Sequence, residues 1–162
     1  MKILTLDEAC TFMRTLLESK YVFACIGTYI RSDDASALEL CNNLIHEYPN
    51  NIVLCEHGLE NCIGSIVELD ARKIAIIDSV LIGDVSAGSI ILFNEDEINE
   101  TCVLSTHSIP ITTSISILHN TLGPDINVVF LGIVVKNIDI GLDMSPEVEN
   151  TVRNVIRCLK GR

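Results

Sequence analysis

The chain has 162 residues and carries 11 basic against 22 acidic side chains, a net charge of −11 at neutral pH. So acidic a surface repels a phosphate backbone, and with 4% aromatic residues and no Trp it offers no stacking platform for bases, which excludes nucleic acid as a partner. A hydrophobic content of 48% excludes disorder. No apolar run approaches the roughly 20 residues of a membrane helix, so no membrane insertion is expected, and the start, with Asp7-Glu8, lacks a signal peptide's hydrophobic centre.

Thr5 followed by Glu8 forms a capping box, and Leu6, Ala9, Met13, Leu16 and Leu17 recur at helical spacing, predicting a first helix over about 5–19. Residues 21–26 are a short apolar run ending at Gly27, suited to a central strand. Asp33-Asp34 opens a second helix carried by Ala37, Cys41, Leu44, Ile45 and Tyr48, with Pro49 after its end. Residues 51–55 form a second strand, and Leu59, Cys62, Ile63, Ile66 and Val67 mark a third helix. A third strand spans 73–80 and is interrupted near its end by Asp78. Residues 88–93 follow too closely for a helical crossover, so this fourth strand runs antiparallel or lies at an edge.

Residues 109–118 fit two patterns: Ile109, Ile111, Ile115 and Ile117 alternate as in a strand, whereas Ile111, Ile115, Leu118 and Leu122 fit a helix. Residues 126–135 are the strongest strand signal. Ser145-Pro146 supplies an N-cap and a first-turn proline to a terminal helix built on Val148, Val152, Val155 and Leu159. This alternation, without linker or repeat, predicts one α/β domain over 1–162, with 1–20 an N-terminal helical extension. Its sheet is twisted, mostly parallel and five-stranded, with one antiparallel strand and helices on both faces. The seven cysteines are odd in number and contain no Cys-x-x-Cys, which predicts unpaired core thiols in a reducing, cytoplasmic compartment.

Ligands of such sheets bind beyond the carboxyl ends of the strands. Asp33 and Asp34 follow the first strand, Glu56-His57-Gly58 the second, and Asp78 ends the third; His107 lies in a Ser/Thr-rich loop after the fourth. Two carboxylates and an imidazole suit a hard-to-borderline metal ion with positions left for water or substrate. The acidic pair equally suits the first turn of a helix and Glu56 and His57 a solvated loop, while His107 taken alone suits a solvated or helix-capping role better than a ligand's. Asp78 is the exception, because a charge inside an Ile-Ile run needs a partner. Cys55, His57 and Cys62 have irregular spacing for zinc. His-Glu-x-x-His, Gly-x-Ser-x-Gly, Gly-x-Gly-x-x-Gly and Walker motifs are absent.

From about Tyr21 to Leu159 the sequence resembles the endopeptidases that mature nickel-iron hydrogenases, most closely the branch serving hydrogen-evolving enzymes. Cys25-Ile26-Gly27-Thr28 with Asp33-Asp34 resembles the family's Gly-x-Gly-Asn and acidic pair, and Glu56-His57-Gly58 with Glu60-Asn61 its Asp-Gly-Gly…Pro-Glu-Asn loop. Ile76-Ile77-Asp78 with Ala87-Gly88 resembles its strand-end Asp followed by Pro-Gly. Ser105-Thr106-His107-Ser108-Ile109-Pro110-Ile111 is similar to its Thr-Thr-His-Asn-Met-Pro-Leu, the most specific of the matches. Phe130-Leu131-Gly132-Ile133 and the entry Met144-Ser145-Pro146 also match.

The resemblance implies that Asp34, Asp78 and His107 are the metal-gripping and catalytic residues, with Glu56 and Gly58 on the substrate side. It implies a hydrogenase large-subunit precursor as partner, with nickel carried by that precursor, and clipping of the precursor's C-terminal extension once nickel is seated. It also implies that 109–118 is helical. Cys25, Thr28, Ala35, Ala37, Glu56 and His57 depart from the family's residues, several of them glycines, so a second reading is a metal-checking chaperone that binds the same precursor without cutting it. A third keeps only the architecture, as a small-ligand-binding domain.

Overall fold

A computed structural model describes residues 1–98 and 109–161. Six strands, β1 (Lys2–Leu4), β2 (Val22–Gly27), β3 (Ile52–Glu56), β4 (Lys73–Val80), β5 (Ile90–Asn94) and β6 (Asn127–Val134), form one sheet in the order β1-β5-β6-β4-β2-β3. The central pairings are parallel, and β5 alone runs against its neighbours β6 and β1. The expected mostly parallel architecture is present, extended by β1, a three-residue strand ahead of the first predicted helix.

Five helices, α1 (Leu6–Glu18), α2 (Ser36–Asn42), α3 (Ile63–Glu68), α4 (Ile111–Leu122) and α5 (Pro146–Leu159), cover both faces. Strand alternation sorts the core. Phe23, Cys25, Ala75, Ile77, Leu131 and Ile133 face α1, α2 and α5, while Ala24, Ile26, Ile74, Ile76 and Phe130 face α3 and α4. The Thr5–Glu8 capping box starts α1 as predicted. Over residues 111–122 the helical pattern holds, because Ile111, Ile115, Leu118 and Leu122 make a buried stripe while Ile117 is exposed. The second helix is shorter than its apolar spacing predicts: Asn43 turns its amide onto the Glu39 carbonyl (2.8 Å), and looser turns carry Leu44 into the core.

The cysteines depart from the expectation of unpaired thiols. Cys10–Cys158, Cys25–Cys41 and Cys55–Cys62 are disulfides, and Cys102 lies outside the described residues. The first joins α1 to α5 across 148 residues of sequence, a pairing set by helix packing that no local spacing reveals. No helix among the described residues is long and apolar enough to cross a membrane.

The strand order fixes where a ligand can enter. From β2 the chain moves outward to β3 and then returns to place β4 on the other side of β2. Helix α2 lies on one face and α3 on the other, so the crevice expected at a topological switch point falls between the carboxyl ends of β2 and β4.

Candidate functional site

Strand β2 ends at Gly27, where a Cβ would overlap the carbonyl oxygen of Asp34. Only a glycine lets the chain fold back this closely. The return is closed by Thr28 N–H on the Asp34 carbonyl (3.2 Å) and Asp34 N–H on the Arg31 carbonyl (3.0 Å). Ser32 takes the left-handed conformation (φ 52°) just before the acids, and Ser32–Ala35 form a 3-10 turn leading directly into α2. Ala35 and Ala37, which stand where the resembling family has glycines, sit in ordinary helical backbone, so the turn has no need of glycine there.

Asp33 and Asp34 are both fully buried but have different surroundings. The Asp33 carboxylate accepts hydrogen bonds from the backbone N–H groups of Lys136 (3.1 Å), Asn137 (3.0 Å) and Ser145 (2.5 Å), and from the Ser145 hydroxyl (2.8 Å). Ser145 therefore occupies the N-cap position of α5 without capping it by its side chain; the hydroxyl serves Asp33 instead. Asp34 is the next residue, at the end of β2 in the crevice.

Asp78 lies where β4 outruns β2. The β2 register stops at Cys25 opposite Ile77, whereas Asp78, Ser79 and Val80 continue alongside Gly132, Ile133 and Val134 of β6. Asp78 is fully buried, and its carboxylate accepts the Ser79 N–H at 2.8 Å. The Ser79 hydroxyl, on the opposite face, reaches the Asp33 carbonyl (3.4 Å) and the Ser36 hydroxyl (3.2 Å). Asp34 and Asp78 are thus each one residue from a direct contact between the turn and the strand. The structure places these two predicted carboxylates on either side of one turn–strand junction at the carboxyl edge of the sheet.

Glu56 and Gly58 form its outer edge. Glu56 ends β3 opposite Gly27, with an exposed carboxylate 3.6 Å from His57 Nε2. His57 N–H donates to the Gly27 carbonyl (2.8 Å), and its ring Nδ1 lies 3.4 Å from the Thr28 hydroxyl. His57 holds φ 71°, so the left-handed bend at a family glycine is kept by a residue type that tolerates it better than most. Gly58 has φ 150°, and a Cβ there would overlap the Glu60 carboxylate. The Asn61 amide ties the loop back to the Glu56 carbonyl (3.0 Å). Burial, then the charges of Glu39 and Glu56, push the Tyr29 phenol above the usual tyrosine range. The Cys55–Cys62 bond spans this loop and removes both sulfurs as zinc ligands.

His107 lies outside the described residues. Among the described residues no group of three or more His, Cys, Asp or Glu side chains is close enough to hold a metal ion. The carboxylates of Asp34 and Asp78 are hard oxygen donors, the ligand type that divalent cations take. Sequence patterns missed Ser36 and Ser79, since a buried serine looks like any surface serine, and read Ser145 only as a helix cap; the one available signal for the first two was their position near Asp34 and Asp78.

Known proteins of this geometry are informative. A family profile described as hydrogenase maturation protease matches residues 38–160. The hydrogenase 3 maturation protease of Escherichia coli K12 is 28% identical over 142 residues, covering 86% of this chain and 88% of its own. The solution structure of the endopeptidase HycI from Escherichia coli superposes with a TM-score of 0.70 at 27% identity, covering 88% of this chain and 90% of that one. A [NiFe] hydrogenase maturation protease HycI from Thermococcus kodakarensis shares the fold, with a TM-score of 0.71 at 19% identity over 92% of this chain and 99% of that one. With the profile spanning most of its length, from α2 to the end of α5, the chain belongs to the hydrogenase maturation protease family.

Proposed function

We propose that the protein is a site-specific endopeptidase that removes the C-terminal extension of a nickel-loaded nickel-iron hydrogenase large-subunit precursor. The observation that carries this reading is the placement of Asp34 and Asp78, both fully buried, at the carboxyl ends of β2 and β4 where the strand order reverses. These carboxylates, with His107, grip the nickel already seated in the precursor, so a precursor without metal is not engaged. Nickel enters as part of the substrate. A water is the attacking group, with a carboxylate as its base. It adds to the scissile carbonyl, loses its proton to a carboxylate, and the peptide nitrogen leaves with a proton. Glu56, on the exposed edge, and Gly58, which opens the loop's bend, line the path of the extension.

The reading puts the protein in the cytoplasm with its precursor. Structural disulfides are uncommon in a reducing cytosol, so the compartment is read from the precursor and not from the cysteines. The decisive experiment mixes the protein with nickel-loaded, C-terminally extended precursor and follows precursor mass, with Asp34→Asn in parallel. The expected result is loss of the extension with the wild type and at least a hundredfold slower loss with the variant. Stable complex formation without any mass change would replace the protease by a metal-checking chaperone.

A further inference from the structure

The two adjacent acids are indistinguishable in sequence, yet the structure divides their work. Asp33 sits where four parts of the chain meet. Its carboxylate gathers the exit of β6 through Lys136 N–H and Asn137 N–H and the start of α5 through the Ser145 N–H and hydroxyl. Its own N–H donates to the Asn137 carbonyl (3.0 Å), and its carbonyl receives the Ser79 hydroxyl of β4. The neighbouring residue repeats the attachment: Ser32 N–H donates to the Gly141 carbonyl (3.0 Å) and Ser32 Oγ to the Asp139 carbonyl (2.8 Å), while Gly141 N–H returns to Ile30 (2.9 Å). Segment 136–145 is therefore bound along the whole turn that carries Asp34. With all four bonds to its side chain coming from that distant segment, Asp33 does not serve as the cap of its own helix.

We propose that Asp33 is a positioning residue, whose carboxylate holds Asp34 at the end of β2 by fastening segment 136–145 to the acidic turn. The assignment rests on the endopeptidase reading for its effect on cleavage, and on geometry alone for its effect on the turn. A group supporting a metal-contacting side chain from behind typically changes affinity or activity by about 10- to 100-fold when removed. Replacing the carboxylate by an amide keeps size and shape but turns one acceptor oxygen into a donor facing N–H and O–H groups.

The test is Asp33→Asn in the full chain, read in two ways. Against nickel-loaded precursor, kcat falls about 10- to 100-fold while KM for the precursor stays within about threefold. Independently of any substrate, amide hydrogen exchange at Asp34 and Thr28, whose N–H groups close the turn, accelerates at least about tenfold relative to the amides of β4. If Asp33→Asn does not fold, Ser145→Ala removes only the hydroxyl bond to Asp33 and gives the same changes at smaller size, about two- to fivefold. A folded variant with wild-type kcat overturns the proposal, and so does unchanged exchange at Asp34 and Thr28, even where cleavage has slowed. A wild type that fails to cleave, with the turn amides loosened in the variant, sinks the endopeptidase reading and leaves the positioning of Asp34 by Asp33 standing.

Discussion

Ser36 and Ser79 are fully buried hydroxyls 3.2 Å apart, one opening α2 and the other near the end of β4. Their bond ties the acidic turn to the strand that carries Asp78, and its energetics follow from the asymmetry of buried polar groups. Removing one partner leaves the other desolvated and unsatisfied at a cost of about 1–3 kcal/mol, whereas removing both leaves no orphan hydroxyl. Ser79→Ala should therefore lower the unfolding free energy by about 1–2 kcal/mol, and adding Ser36→Ala should cost less than about 0.5 kcal/mol more. Urea unfolding of the two single variants and the double variant measures this; strictly additive losses would show that the two hydroxyls do not share a bond. The residue scale is also where sequence reasoning separated least. Asp78 stood out because it broke an apolar run, and it is buried as that argument required. Asp33 and Asp34 looked alike, since the donors that distinguish them come from residues 136, 137 and 145, more than a hundred positions away.

At the scale of elements, the helices and strands were legible wherever periodicity was long or a run was short and fully apolar. The bounds of β4 match the expected 73–80. Three features were hidden for one reason, namely that tertiary contacts create them. Strand β1 is a three-residue segment that becomes a strand only by pairing with β5. The acidic turn is a 3-10 segment held from outside, which helical spacing alone reads as the first turn of α2. The disulfides join residues separated by 148, 16 and 7 positions, each pair set face to face by the packing of the elements that carry it. The Cys10–Cys158 bond has a large expected effect, because closing so long a loop in the unfolded chain is worth about 4–5 kcal/mol in the chain-entropy description. Replacing both cysteines by serine should lower Tm by about 10 °C or more for a chain of this size. Alkylation of the unfolded, unreduced wild type, followed by mass, should label no more than one of the seven cysteines, and all seven after reduction. Seven labelled without reductant would return the cysteines to the unpaired state expected from their odd count.

At the scale of the whole molecule the net charge of −11 acts against compactness, because like charges are closer together in the folded state than in the unfolded one. The attractive pairs do not offset it. Lys2–Glu8, Lys136–Glu147 and Arg153–Glu149 are solvent-exposed, and pairs of that kind contribute little. Several carboxylates nevertheless sit below the usual range. Glu8 is held down first by the Thr5 backbone N–H, Glu97 by the terminal ammonium group and Glu147 by Lys136. A carboxylate lowered in the folded state stabilises above its unfolded pKa and loses that contribution as pH falls through the folded value, so these groups favour folding at neutral pH and withdraw in acid. At pH 7, then, the salt-sensitive balance is between general repulsion and a few weak exposed pairs. Raising ionic strength from about 0.01 M to about 0.15 M shortens the screening length from about 30 Å to about 8 Å, which cancels the long-range repulsion while contacts near 3 Å keep most of their attraction. Tm should therefore rise by a few degrees over that interval and level off beyond it, with sodium chloride and potassium chloride acting alike. Calorimetry across the series decides the matter: a Tm that falls with salt would mean that the exposed ion pairs outweigh the eleven excess negative charges.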